Sequence, residues 1–389
     1  MALASAQVYG RDRKVFVSAE APGSEGTFVK PVSADAARVL KLTMTPETER
    51  KNVEEHRSTR SMLERFTGKS KGTWSLESRV VPSGTAGTPP DLHLLFKAIL
   101  GSYTNTPATS DVYALSDSNA IPTVSLTQHF ASLYQEAAWG CWVDSFSLSL
   151  KGNEEPKLKW DGGMMGYAKT GVTTLNGAMV ATDQLIATAA TSRALRVNSV
   201  VKIGADTNSG AGYQVTADGS RPTFTISDGS PPTSVSADTL SVVAPFVPTE
   251  TVAGTPQMGL AGSVTVAGSA MPITGLDLSI KTGSKGNDDE ALHAWPTDVI
   301  MGDLEWTGSV SFRARADQLI RLLNFDAFAT YAITAVVGNT AGNILTIAMP
   351  YVETDNVVFD AAESEEVIIS LPFTARGSSG ADNGTFTFT

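Results

Sequence analysis

The sequence has one cysteine, Cys141, and a single thiol excludes both an intrachain disulfide framework and a multi-cysteine metal site. Histidine is nearly as scarce, with four residues in the chain, so a histidine-rich metal centre is not expected. Aromatic residues make up 7%, too few for the aromatic platforms of carbohydrate-binding modules. No stretch approaches the ~18 consecutive apolar residues of a membrane span. The N-terminal MALASAQVYGRDRKV lacks the apolar core of a signal peptide. Basic residues are in deficit, 29 Lys and Arg against 40 Asp and Glu, for a net charge of −11. A surface of that sign repels a phosphate backbone and argues against general nucleic-acid binding. These absences read as a soluble chain made in a reducing cytoplasm, with no membrane partner and no cofactor.

What is present points to a folded, β-rich chain. Hydrophobic residues make up 42% and charged residues 18% of 389 residues, enough apolar material for a core and enough length for more than one domain. Alternation with a period of two, the signature of half-buried strands, recurs along the sequence. It runs through Leu40, Leu42 and Met44; through Trp74, Leu76, Ser78 and Val80; and through Phe146, Leu148 and Leu150. It returns at Leu276, Leu278 and Ile280, and at Trp306, Gly308, Val310 and Phe312. Two helical stripes interrupt it. Leu92, Leu95, Phe96 and Ile99 fall at helical spacing, with Thr88 as the expected N-cap, Pro89 and Asp91 in the first turn, and Gly101 closing. Leu319, Leu322 and Leu323 form the second stripe, with Asp317 in its first turn.

The flanking segments follow one script. Each opens on an alternating strand (Val39–Met44; Leu276–Lys281), runs through a polar loop (Thr45–Lys71; Thr282–Met301), and continues with a Trp-bearing strand, a helix and closing strands. Trp142-Val143-Asp144-Ser145 lies over Tyr351-Val352-Glu353-Thr354, and Asn153–Leu158 over Ser364–Ile369. The middle is richer in Ala, Thr, Ser and Gly, with short strands expected at Ser199–Ile203, Gly212–Thr216, Thr223–Ser227 and Thr239–Val243, and an exit linker at Pro245–Pro256. The expected fold class is mainly β: two tandem β-sandwich units each with one short helix, residues 1–168 and 252–389, around an inserted small outer β domain, residues 169–251. The inserted domain is expected to be an ornament.

Catalytic and ligand-binding patterns fail on inspection. Gly68-Lys69-Ser70 resembles the end of a phosphate-binding loop, but Leu63 stands where the first glycine is required. An EF-hand loop from Asp206 through Asn208 and Gly210 has Ala217 in place of the closing Glu. Asp288-Asp289-Glu290 with His293 sits in a long loop, where consecutive side chains diverge. Cys141, between Gly140 and Trp142, has no histidine near it in sequence and reads as a buried thiol.

The run Gly72-Thr73-Trp74-Ser75-Leu76-Glu77, then Ser83-Gly84-Thr85-Ala86-Gly87-Thr88-Pro89-Pro90-Asp91-Leu92 and Leu95-Phe96-Lys97-Ala98, resembles the tail tube (major tail) proteins of long-tailed double-stranded DNA bacteriophages. Gly140–Gly152 is similar to the closing strands of that family. Gly302–Ser309 and Leu371-Pro372-Phe373-Thr374-Ala375 resemble a second tube unit. The resemblance implies a non-enzymatic virion protein, assembled in the host cytoplasm into stacked rings that form the tail tube and conduct the genome. Two units per chain imply trimeric, pseudo-sixfold rings. The implied partners are tail terminator, tape measure and distal tail proteins, with double-stranded DNA passing without specific binding.

The resemblance also implies an inter-ring loop carrying Glu47, Glu49, Arg50, Lys51, Glu54, Glu55, Arg57, Arg60, Glu64 and Arg65. Lys285, Asp288, Asp289 and Glu290 form the candidate second interface loop. Glu77 and Glu305 are the candidates for a channel wall expected to be net negative. The rival class is a non-catalytic β-rich surface, carbohydrate-binding or decoration protein.

Overall fold

The computed structural model describes residues 10–52, 65–116, 122–152, 154–175, 185–187, 195–204, 206, 211–218, 223–227, 242–257, 261–315, 330–354, 357–360, 366–378 and 380–389. The chain is mainly β. Its first segment contains β1 (Arg13–Ala19), β2 (Ala36–Ala37), β3 (Lys41–Asn52), β4 (Arg65–Arg79), helix α1 (His93–Leu100), β5 (Gly101–Thr106), β6 (Ser110–Leu115), β7 (Val124–Phe130), β8 (Tyr134–Lys151), β9 (Lys157–Gly163) and β10 (Gly166–Gly171). The middle contributes β11 (Thr173–Thr174), β12 (Leu185–Ala187), β13 (Val200–Ile203), β14 (Tyr213–Asp218), β15 (Thr223–Ser227) and β16 (Val242–Pro245). The last segment holds β17 (Gly262–Val266), β18 (Ser269–Met271), β19 (Ile273–Lys281), β20 (Lys285–Gly286), β21 (Val299–Ile300), β22 (Glu305–Arg313), β23 (Tyr331–Val337), β24 (Leu345–Thr354), β25 (Val358–Asp360), β26 (Ile368–Ala375) and β27 (Thr385–Phe388).

The alternating runs become one antiparallel sheet in the order β3-β4-β9-β8-β19-β22-β26. Because alternate side chains share a face, Leu42, Trp74, Leu76, Trp160, Phe146, Leu148, Leu278, Ile280, Trp306 and Phe373 are all buried on one side. A second layer, β18-β17-β23-β24-β27-β6-β5, covers that side. Phe386 of β27 lies 5.5 Å from Phe146 and 5.6 Å from Trp306, ring centre to ring centre. Phe96 of α1 fills the same core, 5.5 Å from Trp160 and 5.4 Å from Phe386. The first and last segments therefore share one core and are joined at two seams, β8–β19 and β6–β27.

Within the long sheet the two halves repeat one order. The first runs β3-β4-β9-β8, and the last runs β19-β22-β26 with β24 and β25 on the far side of β26. An ion pair recurs at the same point of each: Arg79 with Glu155 where β4 meets β9, and Arg313 with Glu366 where β22 meets β26. Those pairs set Leu158 equivalent to Ile369, as the sequence comparison has it, but Trp142 equivalent to Glu353 rather than to Tyr351. They leave the two Trp-bearing strands two residues out of step, with Trp74 equivalent to Gly308.

β8 belongs to two sheets. Its first half pairs with β7 and β10, and β7 continues to β1 and β2; its second half enters the long sheet. The change comes at an irregularity around Gly140, whose φ is 58° and where a Cβ would meet the Met165 side chain at 2.6 Å. Glu20 pins this corner. One carboxylate oxygen accepts from the Gly140 N–H (2.7 Å) and the Ser125 hydroxyl (2.8 Å), and the other from the Gly26 N–H (2.8 Å) and the Thr123 hydroxyl (2.7 Å).

Several expectations shift. The expected loop Thr45–Lys71 is strand over its described residues: β3 covers 45–52 and β4 covers 65–71, with cross-strand partners from Lys41↔Glu77 to Asn52↔Arg65. No residue of β3 beyond Met44 is buried, so no apolar alternation marks this part of the strand. α1 begins after Pro90 rather than at Thr88, with Leu92 in the cap position. Asp91 instead pairs with Arg38 at 2.7 Å. Gly101 does close the helix in the left-handed conformation, φ 85°. The second expected helix, with Asp317, Leu319, Leu322 and Leu323, lies outside the described residues.

The middle segment forms a six-stranded sheet, β11-β16-β13-β14-β15-β12. Its last strand is Val242–Pro245 rather than Thr239–Val243. The main body extends past residue 168, because β10 pairs with β8. The inserted sheet is docked on the main body: Val200 packs with Phe28 and Ala137, and the Thr170 and Ser199 hydroxyls meet at 2.5 Å in a buried contact. On the β1–β7–β8 sheet, His129 and Gln135 face each other as register partners, fully buried, with no hydrogen-bond partner for either His129 nitrogen or either Gln135 amide atom.

Candidate assembly surface

The side of the long sheet left uncovered among the described residues is a polar plain set by the same alternation that makes the core. One row runs Lys41, Glu77, Lys159, Ser147, Ser279, Thr307 and Thr374, each opposite the next in register. The next row runs Arg79, Lys157, Ser149, Asp277, Ser309 and Pro372. In these rows charged side chains gather on the β3-β4-β9 side, and hydroxyls fill most of the rest, with Asp277 among them and Pro372 at the β26 side. Glu77 and Glu305 both lie on this face, Glu77 between Lys41 and Lys159, and Glu305 opposite Lys281.

The face is not net negative, unlike the chain as a whole. On its strands Lys41, Arg79, Lys151, Lys157, Lys159, Lys281 and Arg313 outnumber Glu77, Asp161, Asp277 and Glu305. Acids at the rim offset that excess: Glu155 pairs with Arg79, Glu366 with Arg313 at 3.0 Å, and Glu154 with Lys157 at 4.0 Å. Within the face Lys159 meets Asp161 at 2.8 Å. The plain is close to neutral, and the acidic excess of the chain resides elsewhere.

The hairpin of β3 and β4 projects from one edge of this plain. Glu47, Glu49, Arg50 and Lys51 are exposed on β3, where Glu47 pairs with Lys71 (3.9 Å) and Glu49 with Lys51 (3.1 Å). Such exposed pairs are worth at most ~1 kcal/mol each; they leave the charges free to meet a partner. Arg65 opens β4, while Glu54, Glu55, Arg57, Arg60 and Glu64 lie outside the described residues. The second expected interface loop is brought against the hairpin base. The Lys69 ammonium donates to the Asp288 carbonyl, and the Ser70 N–H to the Ala294 carbonyl at 2.6 Å. Lys285 sits in the short β20, and Asp288, Asp289 and Glu290 are exposed.

The hairpin base, the β8–β9 ends and this loop enclose a cleft of about 490 Å³, lined by Glu47, Lys71, Trp142, Asp144, Asp161 and Lys285 among others. Gly163 lets the Trp142 ring lie against the backbone; a Cβ there would sit 2.0 Å from the ring. The Trp74 indole N–H donates to the Gly163 carbonyl at 2.9 Å. Burial, then the neighbouring Asp161, push the Asp144 carboxyl up from its ordinary value, with Lys281 opposing.

The far end of the sheet is apolar and open. β25 presents Val358 and Phe359 to solvent at 54% and 58% exposure, beside the exposed Ile368. Among the described residues β25 pairs only with β26, and β3 pairs only with β4. Sequence reasoning did not find this edge, because a three-residue strand next to an acidic stretch carries no periodic signal.

The motifs set aside on chemical grounds have structural roles. Lys69 is a strand residue, Asp206 accepts a hydrogen bond from the Tyr213 hydroxyl at 2.5 Å, and Cys141 is buried, its thiol pushed up by burial and by Glu20. Among the described residues no helix is long and apolar enough to cross a membrane, and no group of three or more His, Cys, Asp or Glu is placed to hold a metal ion. No known protein-family model matches the chain, and no curated protein sequence matches it.

Proposed function

We propose that the chain is a structural subunit that polymerises into stacked rings, forming the tail tube of a long-tailed double-stranded DNA bacteriophage. The observation that carries this reading is the long sheet. It repeats one strand order across two halves of one chain and joins them edge to edge at β8–β19. It then ends on two edges without partners among the described residues. An unpaired edge of this kind is a template for another chain, and a head-to-tail contact that closes gives a ring. Three chains, each supplying two units, would make a pseudo-sixfold ring with the polar plain facing a channel. The projecting hairpin and the loop at its base are the stacking surface.

In this reading the near-neutral, hydroxyl-rich plain lets DNA pass without a basic wall to bind it by counterion release. The tape measure protein would occupy the same channel during assembly, and tail terminator and distal tail proteins would meet the two tube ends. The chain carries no catalytic step. Negative-stain microscopy of the purified protein tests the reading: rings or tubes with a hollow axis and threefold symmetry are expected. Monomers that form no ring at any concentration would overturn it.

A further inference from the structure

The seam inside the chain predicts the seam between chains, residue by residue. The recurring ion pairs make Arg79 equivalent to Arg313 and Glu155 to Glu366. Carrying that alignment through the strand registers sets Leu148 equivalent to Phe359, because these face Leu158 and Ile369. It sets Met44 equivalent to Leu278, because these face Trp74 and Gly308. Inside the chain Leu148 stands opposite Leu278. Leu148 is 1% exposed there, with β9 on one side and β19 on the other, while its equivalent Phe359 is 58% exposed, with β26 on one side and no strand on the other among the described residues.

We infer that β25 of one chain pairs antiparallel with β3 of the next copy, with Phe359 opposite Met44, Val358 opposite Thr45 and Asp360 opposite Thr43. This pairing rests on the ring reading and fixes the contact that closes it. The length of the free edge agrees independently. On β3 the Leu42 carbonyl already accepts from the Arg13 guanidinium. Two residues past Met44 stands Pro46, which has no N–H to donate and is tolerated in a sheet at an edge. The open window is thus residues 43–45, and β25 is the three residues Val358–Asp360. Docking would bury the Phe359 ring on the core side of the sheet, and on the open side would cover Val358 next to Ile368.

Cysteine pairing tests the register. Paired strand residues lie about 4.5–5.5 Å apart at Cα, within the span a disulfide bridges, and the native Cys141 is fully buried. In the full-length chain, Thr45→Cys with Val358→Cys should give, on oxidation, a ladder of covalent oligomers that ends at the ring. The control is Lys41→Cys with Val358→Cys, the pair brought together if Trp74 and Trp306 were equivalent; it should stay monomeric on a non-reducing gel. All three altered positions are exposed, and circular dichroism verifies the fold.

Crosslinking of the control pair, or rings on the grid with no crosslink in the first pair, would overturn the register while leaving the ring reading intact. Disulfides formed by either single variant would overturn the head-to-tail pairing. Absence of both rings and crosslinks would sink the pairing together with the ring.

Discussion

Truncating Phe386 to alanine should destabilise both halves of the main body together. The side chain is fully buried on β27, near the C-terminus, yet it touches residues from three distant segments. Its ring stacks on Trp306 at 5.6 Å and 28°, and lies 5.5 Å from Phe146 and 5.4 Å from Phe96. Removing a buried phenyl ring costs about 3–5 kcal/mol, part transfer and part cavity. At roughly 2–4 °C per kcal/mol for a large domain, the midpoint should fall by on the order of 10 °C. Differential scanning calorimetry, with tryptophan fluorescence alongside, reads the effect, because Trp160 and Trp306 report the first and last segments. One main-body transition should move as a whole, and Phe386→Leu should recover most of the loss. Two separable main-body transitions, with only one displaced, would refute the shared core and with it the argument that the β6–β27 and β8–β19 seams join the halves.

Three further outcomes follow from single features. Glu20→Ala leaves four donors without their acceptor at the β8 corner and should cost on the order of 3–5 kcal/mol in urea unfolding, against a smaller loss for Glu20→Gln. His129, pushed down to about 3 by burial and then by Lys14, is neutral when folded and binds a proton more readily when unfolded. Its contribution is therefore present above pH 6.5 and falls by about 1.4 kcal/mol per pH unit from there toward pH 3; His129→Leu should flatten that slope, and an unchanged slope refutes the assignment. Replacing residues 48–70 with a short turn should leave the circular dichroism of the body nearly intact and abolish tube formation, since no residue of β3 beyond Met44 is buried; long tubes from this variant would remove the hairpin from the stacking contact.

Much of the core-facing architecture was legible because it rests on period-two alternation. The runs at Leu42, Trp74, Phe146, Leu276 and Trp306 are strands of one sheet with those residues buried. The hairpin escaped notice for the opposite reason. A strand wet on both faces has no alternation, and TPETERKN reads as a charged loop until its partner strand is known. β7 was missed because both of its faces are buried by mixed chemistry: Ser125, Thr127 and His129 are inaccessible alongside Val124 and Leu126. The shared seams depend on pairings across long sequence separations, β6 with β27 and β8 with β19, which local pattern does not encode. The near-neutral charge of the plain was not legible, since a sum over the chain says nothing about which face carries the acidic excess. The repeated order of elements was legible in the sequence, as was the match of Leu158 to Ile369, but the two-residue offset between the Trp-bearing strands came from two ion pairs that only the fold brings into view.

The sizes of the two seams give the order of events in assembly. Inside the chain β8 and β19 pair over residues 145–151 and 275–281, within one covalent molecule and over a shared core. Between chains the proposed window is β25 against residues 43–45. Bringing two free molecules together costs an estimated 4–15 kcal/mol in lost translation and rotation, whereas each backbone hydrogen bond returns only about 1 kcal/mol net. Burial of Phe359 adds up to ~3 kcal/mol. One such junction scarcely covers the cost of holding two chains together. Closing a ring adds a final junction with no further molecule to immobilise, and stacking adds the hairpin contact. The chain should therefore fold first as a monomer and assemble above a concentration threshold, with dimers sparsely populated. Mass photometry across a dilution series measures this directly: monomer and ring masses should exchange with little between them. A stable dimer persisting at nanomolar concentration would mean that a larger interface than the three-residue window joins the chains.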